Sequence, residues 1–151
     1  MRRSNMVKSW LKVLVVIGSL LILSMASGCA LQMVSNFDRQ TEQQIMDVAK
    51  KVDRFYVLLS ELPKEKRTFH FSQSTYLNIE VELSALLMRQ KVRELNELTT
   101  KQVEITQNLW LQDKQQHQQA NSISDFLIKT RKQQYQRLFL AMIRGEQAKQ
   151  Q

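Results

Sequence analysis

Apolar residues recur at intervals of three and four through most of the chain beyond residue 40. Ile45, Val48, Val52, Phe55, Leu59 and Leu62 fall on one helical stripe, which Ala49 and Tyr56 widen. Asp38 stands where an N-cap or a first-turn acid is favoured by the helix dipole, and Pro63 supplies the stop. The polar turn Lys64-Glu65-Lys66-Arg67 follows. Phe69, Tyr76, Ile79, Leu83 and Leu86 then repeat the stripe with Ser72 in the missing position, predicting a second helix from near Thr68, or with a start slipped to Ser74, to about Lys91.

In Leu98-Thr99-Thr100-Lys101-Gln102-Val103, Thr99 as N-cap would place Gln102 for a capping box and Leu98 with Val103 for a hydrophobic staple. A third helix is expected from there through Leu109 and Trp110 to about Gln116, with another break at Asn121-Ser122. Phe126, Leu127, Ile128, Tyr135, Leu138, Phe139 and Met142 mark a fourth, ending near Gly145 or just beyond it. Four amphipathic stripes joined by short polar turns predict an all-α fold, an up-down bundle of about four helices with the third short or splayed. A partly open coiled-coil assembly is the alternative, but the polar breaks come too often for one long rod.

The first 28 residues obey a different pattern. Residues 1–12 carry Arg2, Arg3, Lys8 and Lys12 and no acid, and residues 13–25 are apolar apart from Gly18, Ser19 and Ser24. Ala26, Ser27 and Gly28 follow, then Cys29. A basic start, a short apolar core and a small-residue exit are the physical requirements of an export signal. About 13 strongly apolar residues fall short of the roughly 20 that span a hydrocarbon core. Counting from Trp10 narrows the deficit and leaves an uncleaved transmembrane anchor as the alternative. In either case the positive flank predicts that the remainder lies outside the cytoplasm. Cys29 is the sole cysteine, so no intramolecular disulfide accounts for it, and burial as a small hydrophobe is the alternative to modification.

Composition narrows the picture further. The whole-chain charge of +8 includes four leader residues among its 22 bases; without them 18 bases face 14 acids, an excess of about +4. That mild excess, together with export, argues against nucleic acid as a partner. Beyond the leader the chain has one proline, Pro63, and one glycine, Gly145, too few turn residues for hairpins, whereas helix formers abound. The remaining length of about 120 residues suits one domain.

Candidate chemistry is sparse. His70 and His117 have no partner at metal-ligand spacing, and no metal site is expected. Glu80 and Glu82 point to different helical faces; Glu94 and Glu97 can share one, yet a narrow bundle offers little room for a pocket that separates carboxyl pKa values. No phosphate loop, nucleophile elbow or cysteine–histidine pair is present, so no catalytic residue and no enzyme activity are expected. Lys129, Arg131, Lys132 and Arg137 cluster around Tyr135; Lys129 and Lys132 can share a face while Arg131 falls near the apolar stripe. Such a face, with Lys129, Lys132 and Arg137 as its candidate residues, can meet anionic headgroups, lipopolysaccharide or an acidic protein, or be ordinary solvated surface. Trp110-Leu111 is either a contact patch or core. The glutamine-rich run Gln112 to Gln119 is either a helix end or a flexible link.

Ala26-Ser27-Gly28-Cys29 resembles a bacterial lipobox, with Ala26 where leucine is usual. The resemblance implies cleavage between Gly28 and Cys29 and a diacylglycerol thioether plus N-acyl lipid on Cys29, with no other cofactor. The chain then divides into a signal peptide (1–28), a lipidated cysteine and tether (29–36) and a helical domain (37–151). Two or more acyl chains anchor stably. Ala30 after the cysteine, rather than aspartate, implies the outer membrane facing the periplasm. The mature region is similar to a loosely defined family of small uncharacterised proteobacterial lipoproteins. The residues that carry this are Phe37-Asp38-x-x-Thr41-Glu42, Leu83-Ser84-Ala85-Leu86, Asn96-Glu97-Leu98-Thr99-x-x-Gln102 and Glu146-Gln147-Ala148-Lys149. The expected role is a binding or adaptor module for an envelope protein; the alternative is a structural component contacting peptidoglycan or lipopolysaccharide.

Overall fold

The computed structural model describes residues 33–150. They form an all-α bundle of four helices: α1 (Arg39–Glu61), α2 (Phe69–Lys91), α3 (Glu97–Ala120) and α4 (Asp125–Gln147), with 3-10 turns at Lys64–Lys66 and Ala148–Gln150. Neighbours run α1, α2, α3, α4 and back to α1, with α1 packed chiefly on α4 and α2 on α3. None of the described helices is long and apolar enough to cross a membrane.

The first two stripes fold as their spacing requires. Ile45, Val48, Val52, Phe55 and Leu59 of α1 are buried, as are Ser72, Tyr76, Ile79, Leu83 and Leu86 of α2. Asp38 caps α1 by accepting the Gln40 N–H at 3.1 Å, and Thr68 caps α2 by accepting that of Phe71. α1 stops at Glu61 because Leu62, preceding Pro63, is held extended. Trp110 sits at the centre of the core with its indole N–H donating to the Tyr76 carbonyl at 3.1 Å, edge-on to Phe55.

Several expectations need correction. The third helix is neither short nor splayed: it has 24 residues and takes in the whole glutamine-rich run, ending at Ala120 before Asn121, whose φ of 48° lies in the left-handed region. The N-cap is Asn96, not Thr99, so the capping box does not form; Thr99 is buried in the first turn, and Leu98 faces solvent instead of stapling Val103. The Asn96 side chain itself caps no N–H of α3, because its amide is engaged elsewhere. Its Nδ2 donates to Gln90 Oε1 at 2.9 Å, and its Oδ1 accepts from Ser35 and Lys149. Phe126 leaves the fourth stripe for solvent, because Ser124 caps α4 and puts Phe126 in an open first turn. Arg67, expected in a polar turn, is buried. Its guanidinium ties the carbonyl of Leu62 to Asp125 at the start of α4.

Candidate functional site

Three short sequence stretches, 37–42, 96–102 and 146–149, meet at one end of the bundle. Here α1 begins, α2 turns into α3 and α4 ends. Glu146, fully buried, is the hub. Its Oε1 accepts the Asp38 backbone N–H at 2.8 Å and the Arg93 guanidinium at 3.0 Å, and its Oε2 accepts Lys149 at 2.6 Å. Lys149 reaches on to Asn96 at 2.9 Å and Thr99 at 3.1 Å. Asp38 pairs with Arg89 at 2.8 Å, and Arg93 also donates to the Asn36 carbonyl. Burial alone would raise the Glu146 and Asp38 pKa values. For Glu146 the hydrogen bonds from Arg93, Lys149 and the Asp38 N–H outweigh it; for Asp38 those from Thr41, Arg89 and the Gln40 N–H do so, and both carboxyls end below their ordinary range.

The stretch to Asn36, expected to be a plain tether, is bound to this end over its described part. The Ser35 N–H donates to the Leu95 carbonyl at 2.8 Å, its hydroxyl donates to Asn96, and the residue is buried. Gly28 and Cys29 lie outside the described residues.

A second feature lies along the flank. Between α1 and α4 runs a groove of about 640 Å³ over Val52, Tyr56, Tyr135 and Phe139, with Lys50, Arg54 and Lys132 along its rim. Lys132 leans toward Asp53 at 3.6 Å, and Gln136 donates to the same carboxylate at 2.9 Å. The basic residues of α4 are thus dispersed. Arg131 turns inward to Asp113, Lys132 edges the groove and Lys129 is exposed one turn before it. Arg137, also exposed, is five residues past Lys132 and so roughly 140° round the helix. Lys50 and Arg54 were missed in the sequence because they belong to a different helix from the cluster they join.

The core itself holds a polar thread. Asp113 accepts the Tyr56 and Tyr135 hydroxyls, each at 2.9 Å, and contacts Arg131 Nε at 2.7 Å. Burial raises its pKa despite these partners, and burial raises those of Tyr56, Tyr76 and Tyr135. His117 Nε2 lies 2.9 Å from the Arg67 carbonyl, which can only accept. The proton therefore sits on Nε2, and Nδ1 accepts from the Tyr76 hydroxyl at 3.3 Å. Burial lowers the His117 pKa, against the effect of that carbonyl. These groups join α1, α2, α3 and α4 and face one another across the interior. His70 is exposed. Among the described residues no three His, Cys, Asp or Glu side chains gather as a metal site.

No protein-family model, curated protein or solved structure matches this chain.

Proposed function

We propose that the chain is a lipid-anchored protein of the bacterial cell envelope, cleaved before Cys29 and held by diacylglycerol and N-acyl groups on that residue. Its bundle serves as a non-catalytic binding or adaptor module, facing the periplasm from the outer membrane. The observation that carries this reading is the bound segment after the lipobox-like residues: Ser35, Asn36 and Asp38 are hydrogen-bonded into three other parts of the bundle. An anchor joined to such a segment would keep this end of the bundle within reach of the membrane.

The binding role rests on the α1–α4 groove. Its apolar floor and cationic rim suit an apolar helix or strand with acidic flanks on an envelope protein. A non-catalytic role is favoured because Asp113 and His117 are buried in the core and bonded to Tyr56, Tyr135, Tyr76 and the Arg67 carbonyl, and neither lines the groove. The exposed Lys129 and Arg137 favour a second reading, contact with anionic lipopolysaccharide or wall polymer.

In-cell photocrosslinking from Val57 and Leu140, beside the groove, separates the two. One recurrent protein adduct supports the adaptor, whereas adducts confined to glycolipid or wall material support the structural role. Metabolic labelling with a fatty acid tests the anchor directly: Cys29→Ser should abolish label and membrane retention, and full retention with the leader intact would overturn the lipoprotein reading.

A further inference from the structure

The end of the bundle that holds the Glu146 hub also exposes apolar side chains. Met33 is 78 % exposed, Leu98 77 % and Leu95 44 %, and all three line one shallow concavity of about 240 Å³ together with Val34. The hydrogen bond from Ser35 to the Leu95 carbonyl holds the two chain segments side by side. Single exposed apolar residues are ordinary; here four adjoin one another at one end of the bundle. Leu95 adds an independent observation. Its φ of 54° lies in the left-handed region, where glycine or asparagine is expected, yet a leucine is held there with its side chain directed outward. The bundle leaves 44 % of this residue exposed.

We propose that this end of the bundle rests in the headgroup region of the membrane, with Met33, Leu95 and Leu98 inserted and the helices standing upright from it. The proposal builds on the lipid-anchor reading above. Cys29 precedes Met33 by four residues, and four extended residues reach at most about 14 Å, so an acylated Cys29 keeps these side chains next to the bilayer. Charges around the patch are balanced: Glu94, Glu97 and Glu104 stand against Lys91, Lys101 and Arg144, with Glu104 paired to both lysines. The contact is therefore driven by apolar insertion and depends little on the anionic lipid content. The α1–α4 groove then faces sideways, open to partners in the space above the membrane.

The test uses the full chain, matured in cells and reconstituted in phosphatidylethanolamine–phosphatidylglycerol vesicles. Acylation occupies the Cys29 sulfur, so a single cysteine introduced by Leu98→Cys or by Phe126→Cys takes a polarity-sensitive fluorophore alone. Phe126 is the control, an exposed apolar residue at the far end of α4, roughly 33 Å away by helix rise. Spin-labelled lipids should quench the fluorophore at Leu98 several-fold more than at Phe126, with little change between 10 and 40 % phosphatidylglycerol. Equal quenching at both positions, or none at Leu98, overturns the upright placement when intact mass shows acylated Cys29. A mass without acyl groups overturns the anchor reading itself, and the proposal with it.

Discussion

The carboxylate of Glu146 accepts the backbone N–H of Asp38 at 2.8 Å, joining the last helix to the first across 108 positions of sequence. Because Glu146 is fully buried while bonded to Arg93 and Lys149, its removal strands two cations and a backbone donor together. Glu146→Ala is expected to cost about 3–5 kcal/mol in urea unfolding. Glu146→Gln, which keeps an acceptor for Asp38, should cost less. A loss below about 1 kcal/mol for the alanine variant would show that the hub contributes nothing net.

Ser72 predicts the opposite sign. It occupies a seam position in α2 where its neighbours are apolar, and its hydroxyl is buried with no hydrogen-bond partner. Ser72→Ala removes an unpaired polar group and improves helix propensity, so stability should rise by about 1 kcal/mol. Thermal unfolding followed by circular dichroism checks it, and a lower midpoint would imply a partner for the hydroxyl.

The helix stripes were readable because apolar periodicity survives wherever the core is apolar. Ile45 through Leu59, the helix start near Thr68 and the Pro63 stop all appear in the bundle as the spacing required. α3 was misjudged because its seam runs Val103, Thr106, Trp110, Asp113, His117, alternating by three and four but switching to polar residues at its end. An acid and a histidine in a run of glutamines look solvated until Tyr56 and Tyr76 arrive from other helices and Arg67 from a turn. The same limit hid the Glu146 hub, whose members lie on four separate stretches of chain. It equally concealed the groove rim, since Lys132 was visible as a candidate but its companions Lys50 and Arg54 sit on α1.

His117 makes stability depend on pH. Burial lowers its folded pKa below the ordinary 6.5, so below pH 6.5 the unfolded chain binds more protons than the folded one. Stability is therefore complete above about pH 6.5 and declines as pH falls toward the folded pKa, by about 1.4 kcal/mol for each unit of lowering. His117→Gln should flatten the unfolding midpoint between pH 7 and 5.5 relative to the parent. Parallel curves for the two proteins would assign the dependence elsewhere. Glu146 and Asp38, both lowered, add their own loss only below about pH 4, as the hub protonates.

Arg54 tests the groove without disturbing the core, since it is exposed on the rim. Arg54→Glu should reduce the yield of a groove adduct severalfold at low ionic strength while leaving unfolding within about 0.5 kcal/mol of the parent. The difference should shrink at high salt, where the Debye length falls to about 3 Å. An unchanged yield would place the partner elsewhere on the surface.

The bonds of Ser35, Asn36 and Asp38 also have a mechanical meaning. A pull on the chain ahead of Met33 does not peel α1 away turn by turn. Load entering at Ser35 passes to Leu95 and Asn96, and load at Asn36 and Asp38 passes to Arg93, Arg89 and Glu146. The tension is thus shared at once among α2, α4 and the turn into α3. A domain tugged between a membrane and a bound partner would resist as a unit and let go in one step, at a force set by the whole cluster of contacts.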